Sequence, residues 1–417
     1  MDETALEMKG VMEFGGEMQM AANNSSHAIP PLLHILDKFP ENYAVIINGY
    51  LSPILVFLTI VTNSLVCIVL LKRNMRSPTN TLLVGMAISD MLTGVFPLPI
   101  FLQFFATDRL REYIPYRWCY AYMYLAEYIP TIFHTASIWL TMALAIQRYI
   151  YVCHSFKARV WCTIPNAILV SIAVYVIATL SQCSRFFEAS FFPIEVSSHV
   201  HVNQTVVGCV QMYASWVLLD MKIYMSIYFW FRVLFIHLIP CSFLVVMNAL
   251  LIYAMRVAQV RRMQLLRQNK KSESKKLKDS NCTTLMLVAV VGLFLLVEFP
   301  LGILMIIMII SNTFDINIIE PHTLKTLSIF SNLFILLSYP LNFFIYCGMS
   351  KQFRETFKRL FIGGQAPMDR EYSAYMTLPT GTENGKTAVT TGNETAFCVH
   401  YTDMVILVCG VPRCRTV

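Results

Sequence analysis

The chain has 417 residues, of which 56% are hydrophobic and only 14% are charged, and its formal net charge is +7. Leu, Ile, Val and Phe form unbroken runs, without the amphipathic spacing of helices that cover a soluble core. This composition excludes an ordinary water-soluble globular protein and favours one that spans a membrane.

Seven apolar runs are long enough to cross a bilayer. A span needs about 20 mostly apolar residues, and its backbone must satisfy its own hydrogen bonds, so helices are expected. We therefore predict an all-α membrane protein, with a seven-transmembrane helix bundle over residues 43–349. The runs cover residues 44–71, 79–105, 120–153, 164–183, 223–253, 283–310 and 324–347.

Basic residues are distributed unequally over the two sides of these runs. Eighteen Lys and Arg follow runs one, three, five and seven, whereas eight lie on the opposite side. Because cytoplasmic loops are enriched in Lys and Arg, we predict a multi-pass plasma-membrane protein with an extracellular N-terminus. The positive charge then faces anionic membrane lipid, and no nucleic-acid partner is needed to explain it.

The two ends of the chain are predicted to be disordered tails. Residues 1–42 form the outer tail, and residues 363–417 form a cytoplasmic tail whose Ser and Thr side chains are candidate phosphorylation sites for arrestin. Residues 350–362 carry aromatics and bases at helical spacing, which predicts a short amphipathic helix 8. Glycosylation sequons occur in the outer tail and in an outer loop, at Asn23, Asn24 and Asn203.

Two cysteines differ from the others. Five of the 12 lie within the apolar runs, where a thiol behaves as a small apolar group. Cys119 lies at the outer start of run three and Cys209 in the long outer loop, both in an oxidising compartment. We predict a disulfide between them, and the alternative is two free thiols.

Polar and proline positions within the runs form a family pattern. They are Asn63, Asp90, Gln147-Arg148-Tyr149, Pro240, Pro300, Asn342, Tyr346 and Phe353. Over residues 42–363 this pattern resembles that of rhodopsin-like G-protein-coupled receptors. The resemblance implies an extracellular ligand, a heterotrimeric G protein as partner, and no enzymatic activity.

Longer segments narrow the resemblance. HTASIWLTMALAIQRYIYVCH, KKLKDSNCTTLML and NFFIYCGMSKQFRETFK look like segments of the insect receptor family for sex peptide and myoinhibitory peptides. That family implies a short amidated neuropeptide, typically with two spaced tryptophans, and coupling to an inhibitory G protein (Gi/o). The nearest alternative is a receptor of the same fold for another amidated peptide, such as an FMRFamide-like one.

The resemblance makes Arg148 a G-protein switch, with Gln147, Tyr149, Asn342 and Tyr346. Its guanidinium keeps its charge at a helix end, so a helix contact can hold it at rest and a G protein can engage it on release. Related receptors usually have an acid before this arginine, whereas Gln147 offers only hydrogen bonds, so weaker restraint is predicted. The alternative is an arginine that only snorkels to the surface.

Asp90 lies roughly 16 Å into run two, where an acid is costly. By resemblance, it holds an allosteric sodium ion together with Ser137, Ser338 and Asn342, and oxygen ligands suit such a cation. This ion is the one cofactor that the sequence implies. The alternative is an acid that is protonated, or only hydrogen-bonded to Asn63 and Asn342.

An activation relay is also implied by the resemblance, through Ile138, Pro240, Phe294 and Pro300. Each proline removes a backbone hydrogen bond and permits a bend, although an ordinary packed core is an equally open alternative. Pro130 lies between Cys119 and Arg148, so run three is predicted to start irregularly. The basic segment 256–278 is predicted to continue helix five.

Glu298 stands two residues before Pro300, where related receptors usually have a tryptophan. A buried acid needs a partner, and we predict that Glu298 and Arg232 either pair with each other or bind polar groups of the peptide. The alternative is a structural ion pair without ligand contact. The predicted pocket residues are Glu127, Tyr128, His134, Tyr228, Arg232 and Glu298.

Other classes fit the sequence less well. A retinal-binding light sensor needs a lysine within run seven, and Lys325 lies at its outer edge. A transporter favours inverted repeats or broken half-helices, and a membrane enzyme favours clustered metal ligands at one depth. Neither pattern is present in the sequence.

Overall fold

The computed structural model describes residues 32–363, except for residues 199, 201, 202, 315 and 317. Seven of its helices have the length and apolarity to cross a membrane, which confirms the predicted bundle. They are α1 (Glu41–Leu70), α2 (Pro78–Phe105), α3 (Tyr116–Cys153), α4 (Ile164–Ser181), α5 (Met221–Arg267), α6 (Lys271–Phe314) and α7 (Pro321–Met349). Of the predicted tails, residues 1–31, with Asn23 and Asn24, and residues 364–417 lie outside the described residues. Residues 32–42 were predicted to be part of a disordered tail, but they are ordered: they contain the short helix Ile35–Asp37 and the start of α1. The apolar side chains of Leu33 and Ile35 are buried, which holds this part of the chain on the bundle.

Shorter elements connect and extend the bundle. An eighth helix, α8 (Lys351–Phe361), follows α7, and its first turn is capped by Ser350, whose Oγ accepts a hydrogen bond from the Phe353 N–H at 3.2 Å. Phe353 is buried beneath Tyr346, so α8 packs against the end of α7. Other short helices span Ile35–Asp37, Arg73–Met75, Asp108–Arg111, Ser155–Trp161, Cys183–Phe187 and Ser215–Leu218.

The burial pattern of α4 shows how the bundle meets its surroundings. Its buried residues Ala167, Val174 and Ala178 recur at helical spacing and form one narrow stripe. Apolar side chains such as Leu169 and Ile172 are exposed on the remaining surface. Such a surface is stable in lipid, because the hydrocarbon is as apolar as the side chains.

Wide π-helical turns mark the places where prolines enter these helices. The segments Val45–Leu51, Tyr124–Tyr128 and Val233–Leu238 each end two residues before a proline, namely Pro53, Pro130 and Pro240. A proline lacks the N–H donor and its ring clashes with the carbonyl four residues earlier, and a widened turn moves that carbonyl away. The irregular start predicted for run three is therefore confirmed.

A β-hairpin covers one end of the bundle. Strands β1 (Ala189–Ser197) and β2 (Thr205–Tyr213) pair antiparallel, from Ala189 opposite Tyr213 to Ser197 opposite Thr205. The predicted disulfide is confirmed, since Cys209 of β2 is bonded to Cys119 of α3. Asn203 is exposed in the hairpin turn with φ of 63°, and its glycosylation stays a prediction. We call this end the hairpin end and the opposite one the Arg148 end.

The connection between α5 and α6 differs from the prediction. We expected helix five to continue through residue 278, but α5 ends at Arg267 and α6 begins at Lys271. Asn269 adopts φ of 63°, and its N–H donates to the carbonyl of Leu266 at 3.1 Å. Asparagine tolerates this left-handed conformation, so Asn269 ends α5. The segment is basic on both sides of Asn269, so its composition did not indicate the break.

Candidate functional site

A cavity of about 360 Å³ lies at the hairpin end, which we call the hairpin-end cavity. It is lined by all the long helices except α4. Phe39, which precedes α1, and Gln182 and Arg185, which follow α4, line it as well. Five of the six predicted pocket residues line it: Glu127, Tyr128, His134, Tyr228 and Arg232. The sixth, Glu298, reaches the cavity through its contact with His134.

Glu298 is buried between two histidines. Its Oε1 lies 3.3 Å from Nε2 of His134, and its Oε2 lies 3.4 Å from Nδ1 of His237. His134 in turn places Nδ1 3.1 Å from the hydroxyl of Tyr339 in α7. Glu298 therefore joins α3, α5 and α6 at one depth, directly beneath the cavity.

Within the described residues, Glu298 and Arg232 do not pair with each other, so the first of the two predicted alternatives is wrong, and binding of polar groups of the peptide stays a prediction. His237, five residues further along α5, lies at the depth of Glu298 and contacts it. Arg232 lies roughly 7 Å nearer the hairpin end, by the rise of the helix, and lines the cavity with an Nε that has no hydrogen-bond partner in the described part of the chain. His237 was missed because it stands alone in an apolar run, although an ionisable residue at that depth is itself a signal.

A second polar cluster follows α4 and was also missed. Arg185 Nη1 lies 2.5 Å from Oε1 of the fully buried Glu188, which also accepts a hydrogen bond from the Tyr224 hydroxyl at 2.9 Å. The Arg185 guanidinium lies over the rings of Tyr128 and Tyr228, at 5.0 and 4.9 Å from their centroids. Burial lowers the pKa of Arg185, but Glu188 and the two tyrosines raise it, and the net pKa lies above its usual value. The sequence signal was two opposite charges three residues apart at the outer end of run four.

Asp90 is buried in the middle of the bundle. Ser137 Oγ donates a hydrogen bond to its Oδ1 at 2.7 Å, and Asn342 Nδ2 donates to its Oδ2 at 3.3 Å. The predicted sodium ligand Ser338 does not face Asp90, because its hydroxyl bonds to a backbone carbonyl one turn earlier in α7. Asn63 likewise donates to backbone carbonyls. Asp90 and Ser137 fit a cation with oxygen ligands, whereas Ser338 does not.

A smaller cavity of about 140 Å³ lies at the Arg148 end, and two of the five predicted switch residues reach it. Arg148 and Tyr346 both line it. The Arg148 guanidinium lies 5.9 Å from the centroid of the Tyr151 ring, and its Nε has no hydrogen-bond partner among the residues described. Gln147 turns away to α2, where its Oε1 accepts a hydrogen bond from Thr79 Oγ1 at 3.1 Å. Tyr149 packs its ring against His154.

Three of the four predicted relay residues lie in the packed core between α3, α5 and α6, whereas Pro300 is exposed. Ile138 and Pro240 are buried, and Phe294 packs against a cluster that contains Leu244 and Val291. Pro300 lies inside α6. A role of these residues in activation stays a prediction.

Seven apolar helices, a disulfide-bonded hairpin over a polar cavity, and an arginine at the far end of α3 together define a class of membrane receptor. The chain belongs to the G-protein-coupled receptor family, and its residues 50–364 match the family described as serpentine type 7TM GPCR chemoreceptor Srw. Members of this family are multi-pass membrane receptors and not enzymes, as predicted.

Individual relatives are similar over most of the chain. The Sex peptide receptor of Drosophila melanogaster is 40% identical over 386 residues, which cover 92% of this chain and 86% of that protein. Sex peptide receptor-related protein 2 of Caenorhabditis elegans is 36% identical over 337 residues, covering 79% and 75% respectively. The FMRFamide receptor of Drosophila melanogaster is 28% identical over 321 residues, covering 75% of this chain and 53% of that receptor. The resemblance predicted from the sequence is confirmed.

Proposed function

We propose that this chain is a plasma-membrane receptor for short amidated neuropeptides of the myoinhibitory peptide or sex peptide kind, coupled to an inhibitory G protein (Gi/o). The observation that carries the proposal is the 40% identity to the Sex peptide receptor across 92% of the chain. Identity over that length includes the cavity-lining segments of the helices and the hairpin above them.

The chemistry of the hairpin-end cavity suits such a ligand. A volume of about 360 Å³ holds a few side chains and not a whole peptide, so the remaining peptide residues contact the hairpin. Tyr128 and Tyr228 offer aromatic walls to tryptophan rings, and the Arg232 guanidinium offers donors to carbonyl oxygens. Neither role requires a charged group on the ligand.

The orientation with the hairpin end outside the cell has two supports. Lys and Arg are concentrated in the loops at the Arg148 end, which favours the cytoplasm for that end. The disulfide between Cys119 and Cys209 lies at the hairpin end and needs an oxidising compartment. The amidated peptide then enters from outside, and the Arg148-end cavity is the side on which a G protein and arrestin bind.

Signal transmission is proposed to use Arg148 with Gln147, Tyr149, Asn342 and Tyr346. The support is the half-buried Arg148, whose Nε lacks a partner in the described region and which lines a cavity with Tyr346. An allosteric sodium ion at Asp90 and Ser137 remains a proposal of the same kind, supported by their contact at 2.7 Å. When bound, such an ion stabilises the aspartate charge within the bundle.

The second candidate function is a receptor for FMRFamide-like peptides. It is favoured by the 28% identity to the FMRFamide receptor, which covers 75% of this chain. Both candidates use the same fold and the same cavity, so they differ only in the peptide that fits.

The test measures cyclic AMP and calcium in cells that express the full chain, with a panel of amidated peptides that includes double-tryptophan and FMRFamide-like members. We expect a pertussis-toxin-sensitive fall in cyclic AMP with double-tryptophan peptides at low concentration. A response restricted to FMRFamide-like peptides would establish the second candidate. Surface expression without response to any amidated peptide would overturn both.

A further inference from the structure

The segment before α1 forms part of the roof of the hairpin-end cavity. The N–H of Leu33 donates to the carbonyl of Cys209 at 3.1 Å, and the N–H of Ile114 donates to the carbonyl of Leu33 at 3.3 Å. Ile35 is fully buried, and the ring of Phe39 packs edge-on against Phe105 of α2. These contacts fix the segment between the hairpin and the loop that joins α2 to α3.

This segment places a cation on the cavity wall. Lys38 Nζ contacts Oε1 of Glu127 in α3, and it lies 5.6 Å from the centroid of the Tyr122 ring. Glu127, Tyr122 and the neighbouring Phe39 all line the hairpin-end cavity. The Lys38 ammonium therefore covers the Glu127 carboxylate, which lines the cavity that a ligand would enter.

The Lys38–Glu127 contact changes the balance of charge on the cavity wall. Glu127 is the only carboxylate among the described residues that line it, and the lining guanidiniums belong to Arg185 and Arg232. Arg185 is neutralised by Glu188, and Lys38 neutralises Glu127. With both pairs formed, Arg232 is the charged lining group left to meet a ligand, so the cavity favours neutral or electron-rich groups.

The Lys38–Glu127 pair is also weak enough to be displaced. The Lys38 side chain is 38% exposed and that of Glu127 is 31% exposed, so water screens their attraction. A ligand cation that reaches Glu127 has to displace Lys38 or lie beside it, and either outcome costs affinity. A neutral group at the same place meets no such cost.

We propose that Lys38 is a specificity-determining residue, which neutralises Glu127 and thereby selects against peptides that bring a positive charge to this wall of the cavity. The inference rests on the proposed peptide-receptor function and names the charge of the ligand that the site accepts. Its consequence is that removal of the Lys38 ammonium converts Glu127 into a site for a ligand cation.

The test compares the full-length wild type with Lys38→Met, Glu127→Gln and the double variant. The probe is the amidated peptide that activates the wild type, with each position replaced in turn by Lys or by uncharged norleucine, and with a free or acetylated N-terminus. Lys38→Met keeps the apolar stem against Tyr122, and Lys38→Arg is the control that keeps the charge. Potency is normalised to surface expression.

At one or more peptide positions, we expect Lys38→Met to shift the potency ratio by about two- to fivefold in favour of the charged form. The shift should be absent in the double variant and in Lys38→Arg. Glu127→Gln alone should weaken charged peptides relative to neutral ones, which provides a second test if Lys38→Met folds poorly.

Ratios that stay constant at every position would overturn the proposal, because a merely structural role of Lys38 changes all peptides alike. A shift that persists in the double variant would also overturn it. A wild type that responds to no amidated peptide would instead overturn the proposed function, and this inference with it.

Discussion

The carboxylate of Glu298 lies 3.3 Å from Nε2 of His134 and thereby ties α6 to the wall of the hairpin-end cavity. Glu298 does not line the cavity itself, so its effect on a ligand passes through the histidine. We predict that a ligand that displaces His134 also shifts α6 through this contact. Glu298 is therefore a positioning residue between the two.

Glu298→Gln should raise the peptide concentration needed for half-maximal response by about tenfold, since the neutral amide loses the attraction of the carboxylate for His134 and His237, which lie 3.3 and 3.4 Å away. Glutamine keeps the shape of the side chain, so surface expression should change little. Glu195→Gln makes the same chemical change at an exposed site in β1 and should be silent. Unchanged potency in Glu298→Gln would make the cluster purely structural.

Arg185→Ala should be strongly destabilising, because it leaves the buried carboxylate of Glu188 without its cation. Loss of one partner of a buried pair costs about 3–5 kcal/mol. Arg185→Lys keeps the charge but loses the flat stacking on Tyr128 and Tyr228, so an intermediate loss is expected. Thermal unfolding of purified receptor measures both, with the exposed Arg109→Ala as control; equal melting temperatures would contradict the prediction.

The sequence predicted the positions of the membrane-spanning helices well, but it did not predict which side chains contact each other. Hydropathy gives the start of α2 within one residue and the end of α3 at the correct residue, because lipid contact dictates both. It does not locate the boundary between α5 and α6: the basic segment was assigned to helix five through residue 278, whereas residues 271–278 form the first turns of α6. Patterns along the chain also miss contacts such as that between Lys38 and Glu127, which are 89 residues apart.

The residues predicted around Asp90 also fall into two groups, those that contact it and those that do not. The contact between Asp90 and Ser137 was predicted correctly, because both residues match positions of the family pattern. Ser338 was placed by the same resemblance as Ser137, and the hydrogen bond of its hydroxyl to its own helix was not visible in the sequence. Composition cannot show which rotamer a serine adopts.

Cys209→Ser should lower surface expression and thermal stability together. The disulfide closes a loop with a sequence separation of 90, for which chain-entropy arguments give a stabilisation of about 4.6 kcal/mol. Cys119→Ser should have the same effect, and the double variant should be no worse than either single variant. Cys183→Ser, at an exposed free thiol, is the control. Additive losses would contradict the bridge.

Arg148→Ala should abolish G-protein activation while peptide binding is retained, because Arg148 lies at the opposite end of the bundle from the hairpin-end cavity. Radioligand binding and G-protein activation in the same membranes separate the two effects. Lys157→Ala removes an exposed cation nearby and should retain coupling. Preserved activation in Arg148→Ala would show that its charge only follows the cytoplasmic bias.

Gly49→Ala should destabilise the packing of α1 against α2. A Cβ at Gly49 would lie 2.5 Å from the carbonyl oxygen of Phe105, so one backbone has to move. A loss of about 2 kcal/mol is expected from this overpacking. Gly292→Ala is the matched control in α6, where no atom lies within 4 Å of the added Cβ, and it should be neutral or stabilising. Equal melting temperatures for the two variants would refute the close approach.

The tight turn at Asn269 joins the end of α5 directly to the start of α6, so these two helix ends have to move together. Pro300 lies 29 residues from the start of α6 at Lys271, a length of about 44 Å, so a tilt of about 10° at the proline sweeps that end through about 8 Å. Because three residues separate α6 from the end of α5, such a swing carries both helix ends with it. We therefore predict that a small change of helix direction at Pro300, two residues from Glu298, produces its largest displacement at the Arg148 end of α5 and α6.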